Sequence, residues 1–196
     1  EMLRVEQLGG SGEDAVRYRL TGEDGHSIEI SSELSYAETE VALGRIADFY
    51  SQVPDHLRGE LDDIRLAEGE KPGSPETLAT YGHSTRGKWS CKRQTDSEIT
   101  FYHGLVNLTE SIFDHECGHA VGRDLSLDNG FPNGWEDAIA ADGRNPSRYG
   151  ATEPVEDYAE FWTAYVEAHQ HGSDALAELQ AIYPNRFAIV DAVYED

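Results

Sequence analysis

Two histidines four residues apart, His115 and His119, are the feature that most constrains this chain. Residues with this spacing lie on one face of an α-helix, where two imidazoles can reach the same metal ion. Glu116 lies on the same side of such a helix, close enough to hold a water molecule next to the ion. A capping box formed by Asn107 and Glu110 predicts where this helix begins. The segment therefore predicts a metal-binding helix, which we call the motif helix.

The motif helix alone does not establish a zinc site. The pattern His-Glu-x-x-His is typical of zinc peptidases, but chance would produce it in about one chain in thirty of this length and composition. A catalytic zinc keeps three protein ligands and one open position, so a third ligand must lie further along the chain. The metzincin pattern would place that ligand at Leu125, which cannot bind zinc. Glu136 and Glu156 remain as candidates.

Glu156 is favoured by its surroundings. It lies four residues before Glu160 in a helix predicted over residues 153–169, so both carboxylates share one helical face. One carboxylate can bind zinc while the other accepts a hydrogen bond from a ligand histidine. Tyr149, in the loop that enters this helix, can bring a phenol near the metal. On spacing alone, an ordinary pair of glutamates on a solvated helix face explains the pattern equally well.

The two segments together resemble one family of zinc peptidases. The motifs are His115-Glu116-Cys117-Gly118-His119, Tyr149-Gly150-x-Thr152 and Glu156-x-x-Ala159-Glu160. They are similar to those of the anthrax lethal factor catalytic domain and of the secreted Pro-Pro endopeptidases, which are of gluzincin type. The resemblance implies that Zn²⁺ is bound by His115, His119 and Glu156. It further implies a general base at Glu116 and a transition-state contact from Tyr149.

The resemblance also implies a fold and an activity. We expect an α+β, zincin-like domain with a small mixed sheet, an edge strand at residues 99–103 beside the motif helix, and a helical C-terminal half. An edge strand can pair with an extended peptide by backbone hydrogen bonds. The expected reaction is hydrolysis of peptide bonds in a protein or peptide by water that the zinc site activates. Asp157 departs from the family pattern, which has an apolar or aromatic residue at this position.

Two other functions fit the same residues. The first is a zinc-stabilised binding or inhibitory module that does not turn over a substrate. The second is a structural domain without metal, in which the motif arose by chance. A complete set of ligands, base and phenol favours the peptidase over both.

The charge of the chain restricts its partners. The sequence has 38 acidic and 15 basic residues, a formal net charge of −23. Such a surface repels phosphate backbones and anionic lipids, so nucleic acid and membranes are poor partners. The sequence contains no apolar run of the roughly 20 residues that a membrane span needs. We expect a secreted or extracellular protein, a toxin or effector among the options, whose signal lies outside this sequence.

The pattern along the chain predicts two parts. Residues 1–35 predict a β-hairpin appendage, in which residues 15–20 and 27–30 alternate and a flexible joint at 9–12 comes before them. Residues 36–196 predict the catalytic domain, which opens with a helix over 36–51 whose buried face includes Val41. Cys117 is expected to be a small buried thiol. Further helices are predicted over residues 135–141, 153–169, 173–182 and 185–194.

Overall fold

The computed structural model describes residues 4–11, 15–23, 25–86, 94–126 and 128–195. Strands dominate the first half of the chain and helices the second, so the expected α+β class is confirmed. The chain divides into two compact units, Glu1–Phe113 and Asp114–Asp196, which we call the first unit and the second unit. None of the helices in the described ranges has both the length and the apolar character needed to cross a membrane.

The first unit contains a mixed six-stranded sheet. Its order is β1-β2-β3-β4-β6-β5, with parallel pairing at β3–β4 and β4–β6 and antiparallel pairing elsewhere. The strands are β1 Arg4–Ser11, β2 Ala15–Thr21, β3 Ser27–Ser32, β4 Asp63–Leu66, β5 Ala79–Arg86 and β6 Gln94–Phe101.

The predicted hairpin near the start of the chain is confirmed as β2 and β3. Tyr18 lies opposite Ile30 and Leu20 lies opposite Ile28, and all four side chains are buried. This is the alternation that a strand with one buried face requires. The joint expected at residues 9–12 is wrong for residues 9–11, because they pair with β2 as the end of β1. Gly12, the last residue of the predicted joint, lies outside the described residues.

The strand predicted at residues 99–103 is present, but it is not an edge strand. It is β6, which pairs with β4 on one side and with β5 on the other. The strand order places β5, which is antiparallel to β6, at the outer position on this side of the sheet. An extended peptide that adds to this side of the sheet would therefore have to pair with β5.

The first helix, α1, runs over Tyr36–Gln52 and begins with a capping box between Ser35 and Glu38. The prediction that Val41 belongs to its buried face is wrong, because Val41 is 49% exposed. Thr39 is buried instead, and its hydroxyl lies 2.8 Å from the hydroxyl of Ser32 on β3. This buried hydrogen bond helps set which face of α1 is covered. A 3₁₀ helix at Asp55–Glu60 follows.

The motif helix is α3, Glu110–Leu125, and it is preceded by a single helical turn, α2, at Gly104–Asn107. The predicted cap at Asn107 is wrong. Asn107 ends α2, and its side chain donates to the carbonyl of Tyr102 at 2.7 Å. Thr109 caps α3 instead, because its hydroxyl accepts a long hydrogen bond, 3.4 Å, from the backbone N–H of Ile112.

The second unit holds most of the remaining helices: α4 Trp135–Asp142, α5 Pro154–His171, α6 Ser173–Ile182 and α7 Pro184–Tyr194. All four predicted helices are thereby confirmed. Proline at the first position of α5 and of α7 suits the turn in which the backbone N–H has no helical partner. The core around α5 is aromatic, because this helix buries Tyr158, Phe161 and Tyr165. None of the ten residues of α6 is fully buried.

Within the second unit, α3 and α5 approach each other at Gly118. A Cβ atom at this position would lie 2.9 Å from the Cα of Ala159 and 3.0 Å from the Cβ of Trp162. Carbon atoms in contact prefer about 3.5–4.0 Å, so only glycine permits this approach.

The substitution Gly118→Ala should destabilise the protein by about 1–3 kcal/mol, because the added methyl group must push α5 away. The matched control is Gly44→Ala in the exposed middle of α1, where a Cβ would meet no atom within 4 Å. That change should stabilise by about 0.5–1 kcal/mol, since alanine loses less backbone entropy than glycine. Chemical denaturation measures both values. Equal effects of the two substitutions would contradict the packing described here.

Candidate metal centre

Three potential ligand atoms converge in the second unit. The Nε2 atoms of His115 and His119 are 3.1 Å apart. The Oε2 atom of Glu156 lies 3.2 Å from the first nitrogen and 3.3 Å from the second. The three side chains are only 12%, 15% and 19% exposed. Among the described residues, this is the one group of three or more histidine, cysteine or acidic side chains arranged to hold a metal ion.

The separations suit a tetrahedral zinc ion. Zinc–nitrogen and zinc–oxygen bonds of about 2.0–2.1 Å place neighbouring tetrahedral ligand atoms about 3.3–3.4 Å apart. The three observed separations lie close to this value. The Oε2 atom of Glu156 is buried and forms no hydrogen bond of good geometry, despite the two imidazole nitrogens beside it. A buried acceptor left in this way is costly, and a cation among the three atoms removes the cost.

Helix geometry explains why these atoms meet. His115 and His119 lie one turn apart on α3, and Glu156 lies in the first turn of α5. The contact between Gly118 and Ala159 brings the two helices close enough for the short glutamate side chain to reach both imidazoles. The candidate centre therefore depends on backbone packing as much as on the ligands themselves.

Glu160 lies next to one of the histidine rings. Its Oε1 atom is 2.9 Å from Nδ1 of His115, on the opposite side of the ring from Nε2. The ring N–H is not aligned with this oxygen for a hydrogen bond, so the contact is an ion pair only when His115 is protonated. A carboxylate in this position orients a metal-binding imidazole and makes it more basic.

The charges around His115 favour a positive charge at the centre. Burial lowers the pKa of His115, but Glu156, Glu116 and Glu160 raise it more, so the net shift is upward from 6.5. Burial raises the pKa of Glu156, whereas the imidazoles of His115 and His119 lower it more strongly, to about 2. Glu156 is therefore a carboxylate at neutral pH, as a metal ligand must be.

Two further side chains stand close to the centre. The ring centroid of Tyr149 lies 5.7 Å from that of His115, and the tyrosine is 54% exposed. Burial and the charge of Glu156 raise the pKa of Tyr149 to about 12, so the phenol keeps its proton and can donate a hydrogen bond. Glu116 is 6% exposed, and its charge raises the pKa values of both His115 and Tyr149.

The rival third ligand does not join this group. Glu136 lies on α4 and is exposed, outside the cluster of converging atoms. Leu125, where the metzincin pattern fails, is 40% exposed at the end of α3. Among the candidate ligands, the structure brings His115, His119 and Glu156 together.

The cysteine within the motif is not part of the ligand set. Cys117 is a free, buried thiol, and burial raises its pKa well above the ordinary value. A thiol in this state is a poor metal ligand, because zinc binds the thiolate. The other cysteine, Cys91, lies outside the described residues.

Sequence reasoning missed one charged pair next to the centre. Asp157, where the family pattern has an apolar or aromatic residue, is fully buried and bonded to Arg186 of α7. The only signal in the sequence was a single arginine in a helix whose other residues are mostly apolar. Spacing gave no indication that the two residues meet.

Comparisons with known proteins do not assign the chain to a family. No protein-family model matches it, and no curated protein matches it. The geometry of the candidate centre therefore carries the functional conclusion.

The wild-type protein should bind one zinc ion. Replacing His115, His119 or Glu156 by alanine should weaken binding by more than about a hundredfold, since even residues outside the ligand set cost 10–100-fold. Glu136→Ala is the matched control and should keep wild-type affinity. Competition titration with a chromogenic chelator measures these constants. Full zinc retention in Glu156→Ala, with loss in Glu136→Ala, would return the third ligand to Glu136.

Zinc affinity should fall as the pH drops through the pKa of His115. The pKa is raised, so in metal-free protein the protonated imidazole persists to a higher pH, and zinc must displace that proton. Affinity should decrease by about tenfold per pH unit from this group alone. Glu156 adds nothing to the decrease until far lower pH, because its pKa is about 2. An affinity that stays constant from pH 8 to pH 5 would contradict this.

Proposed function

We propose that this protein is a zinc-dependent endopeptidase with a zincin-like site of the lethal factor and Pro-Pro endopeptidase type. The single observation that carries the proposal is the convergence of His115, His119 and Glu156 on one point. The neighbouring Glu116 and Tyr149 supply groups that a ligand set for structural zinc does not need. A structural zinc site is normally closed by four protein ligands, whereas only three converge here among the described residues.

Each residue of the candidate centre has a separate role in the proposed hydrolysis. Zinc held by the three ligands would supply a Lewis acid that lowers the pKa of a water molecule and polarises the scissile carbonyl. Glu116 accepts the proton of that water molecule and later delivers it to the leaving amine. Tyr149, protonated at neutral pH, donates a hydrogen bond to the developing oxyanion. Glu160 holds the ring of His115 in place.

The proposed substrate is a protein or peptide bound in extended form. The net charge of −23 disfavours nucleic acid and anionic membranes, and it attracts basic chains instead. We also propose that the protein acts outside the cell, as a secreted enzyme. Its cleavage preference can be found by incubating the purified chain with a peptide library, with and without a chelator, and analysing products by mass spectrometry.

Glu116→Gln should keep zinc and lose cleavage. The amide is the same size as the carboxylate but cannot accept the proton from water, so the rate should fall by about a hundredfold or more. Zinc stoichiometry and library cleavage are measured on the same sample. Wild-type cleavage by Glu116→Gln would show that another group is the base. Zinc binding by the wild-type protein without cleavage of any peptide would favour a zinc-stabilised binding or inhibitory module.

Tyr149→Phe should lower the cleavage rate by about a hundredfold while zinc affinity is unchanged, since only the donor to the oxyanion is removed. Tyr36→Phe is the control, because Tyr36 is a 72% exposed tyrosine on α1 of the first unit. Steady-state kinetics with a peptide identified in the library gives both values. Equal rates for the two variants would remove Tyr149 from the proposed mechanism.

A further inference from the structure

The residue that follows Glu156 in α5 belongs to a buried pair of opposite charges. This residue, Asp157, is fully buried, and both of its carboxylate oxygens accept from Nη1 of Arg186, at 2.8 and 2.7 Å. Arg186 is fully buried as well and comes from the first turn of α7. The first turn of α5, which carries Glu156, is thereby joined to a different helix.

The same guanidinium also holds the end of α4 and the segment that follows it. Its Nε atom donates to Asp142 at 3.0 Å, and Nη2 donates to the carbonyl of Arg144. The carboxylate of Asp142 in turn accepts from the backbone N–H groups of Asn185 and Arg186. An anion at this end of α7 is favourable, because the first backbone N–H groups of a helix lack partners.

The loop that carries Tyr149 is fastened to the same aspartate. The side chain of Asn145 donates to Oδ2 of Asp157 at 3.1 Å. Gly150 lies so close to α5 that a Cβ atom there would be 3.3 Å from the Cα of Asp157 and 3.4 Å from the Cβ of Glu160. The Tyr149 loop, α5 and α7 therefore meet at one carboxylate.

A buried ion pair of this kind fixes the positions of the groups around it more than it stabilises the fold. Burying two charges costs several kcal/mol of desolvation each, and replacing such a pair by apolar residues is often neutral or stabilising. Arginine, however, presents several donors in a fixed planar arrangement, so its partners are held in definite directions. The aromatic ring of Tyr183, 4.8 Å from the guanidinium carbon, further restricts Arg186.

We propose that Asp157 and Arg186 are positioning residues of the candidate metal centre. The pair fixes the first turn of α5 relative to the loop after α4. It thereby fixes the position of the Glu156 carboxylate relative to the Tyr149 phenol. Neither residue touches a zinc ligand's binding atom, so both act through the backbone and through Asn145. This inference rests on the proposed function.

The double variant Asp157→Leu/Arg186→Met tests the proposal by removing both charges together. We expect it to fold with a lower melting temperature, because Asp142 loses its guanidinium partner and keeps only neutral donors, among them the backbone N–H groups of Asn185 and Arg186. Its dissociation constant for zinc should rise about 10–100-fold. The visible absorption spectrum of the Co²⁺-loaded protein should also change, since it reports the geometry of the ligands. A role limited to stability would change neither measurement in folded protein.

Two milder variants keep the test decisive if the double variant does not fold. Arg186→Lys retains the charge but not the planar set of donors, and should show a smaller rise in the zinc dissociation constant. Asn145→Ala removes the link from the loop at an exposed position, and should lower cleavage several-fold at unchanged zinc affinity. Arg58→Met is the control, because Arg58 is a buried arginine of the first unit that donates to the carbonyls of Ser51 and Val53.

The outcomes separate this inference from the proposed function. A wild-type protein that binds no zinc would overturn the proposed function and this inference with it. A wild-type protein that binds zinc, together with a folded double variant of the same affinity and Co²⁺ spectrum, would overturn the positioning role alone. Arg186→Lys and Asn145→Ala variants that both match the wild type would do the same. The zinc and cobalt measurements need no substrate, so they hold even before a cleavable peptide is known.

Discussion

The candidate centre depends on the contact between α3 and α5 at Gly118. A glycine inside a helix costs about 1 kcal/mol relative to alanine. Glycine at this position therefore makes α3 itself less stable but lets the backbones of α3 and α5 come close together. The histidines lie on one side of the contact and Glu156 lies one turn before Ala159 on the other. The separations of 3.1–3.3 Å among the three ligand atoms follow from this packing. Flexible side chains alone would not hold them at that spacing.

The charges around the candidate centre favour a bound cation, as the spacing of its ligand atoms does. Glu116, Glu156 and Glu160 surround two imidazoles in a region with little access to water. Such a set of acidic groups is stable only with a positive charge among them, either a proton on His115 or a metal ion. The buried charges of Asp157 and Arg186, by contrast, compensate each other and stay outside the ligand set. The three glutamates therefore favour a bound cation, whereas the buried ion pair holds α5 and α7 together.

Much of this architecture could be predicted from local patterns. The bounds of α4, α6 and α7 follow from apolar periodicity with proline or glycine at their ends, and the spacing of His115 and His119 places both on one helical face. The features that could not be predicted depend on contacts between separate helices and strands. The hydroxyl pair of Ser32 and Thr39 and the pairing of β6 with both β4 and β5 leave no local pattern.

The same limit applies to the candidate centre. Local patterns favoured Glu156 without excluding Glu136, because spacing shows which carboxylates share a face but not which face meets another helix. Asp157 departs from the pattern of the zinc peptidases that the motifs resemble, and its partner on α7 could not be identified from spacing. A buried ion pair between two helices has no periodic signature in either of them.

The exposure of α6 has a consequence for how the second unit moves. With no fully buried residue, this helix gains little from its packing, whereas α5 buries a row of aromatic side chains. Local opening should therefore begin at α6, and its backbone amides should exchange with solvent long before those of α5. A fluorescent label or a purification tag attached to α6 should therefore leave the buried aromatic packing of α5 intact.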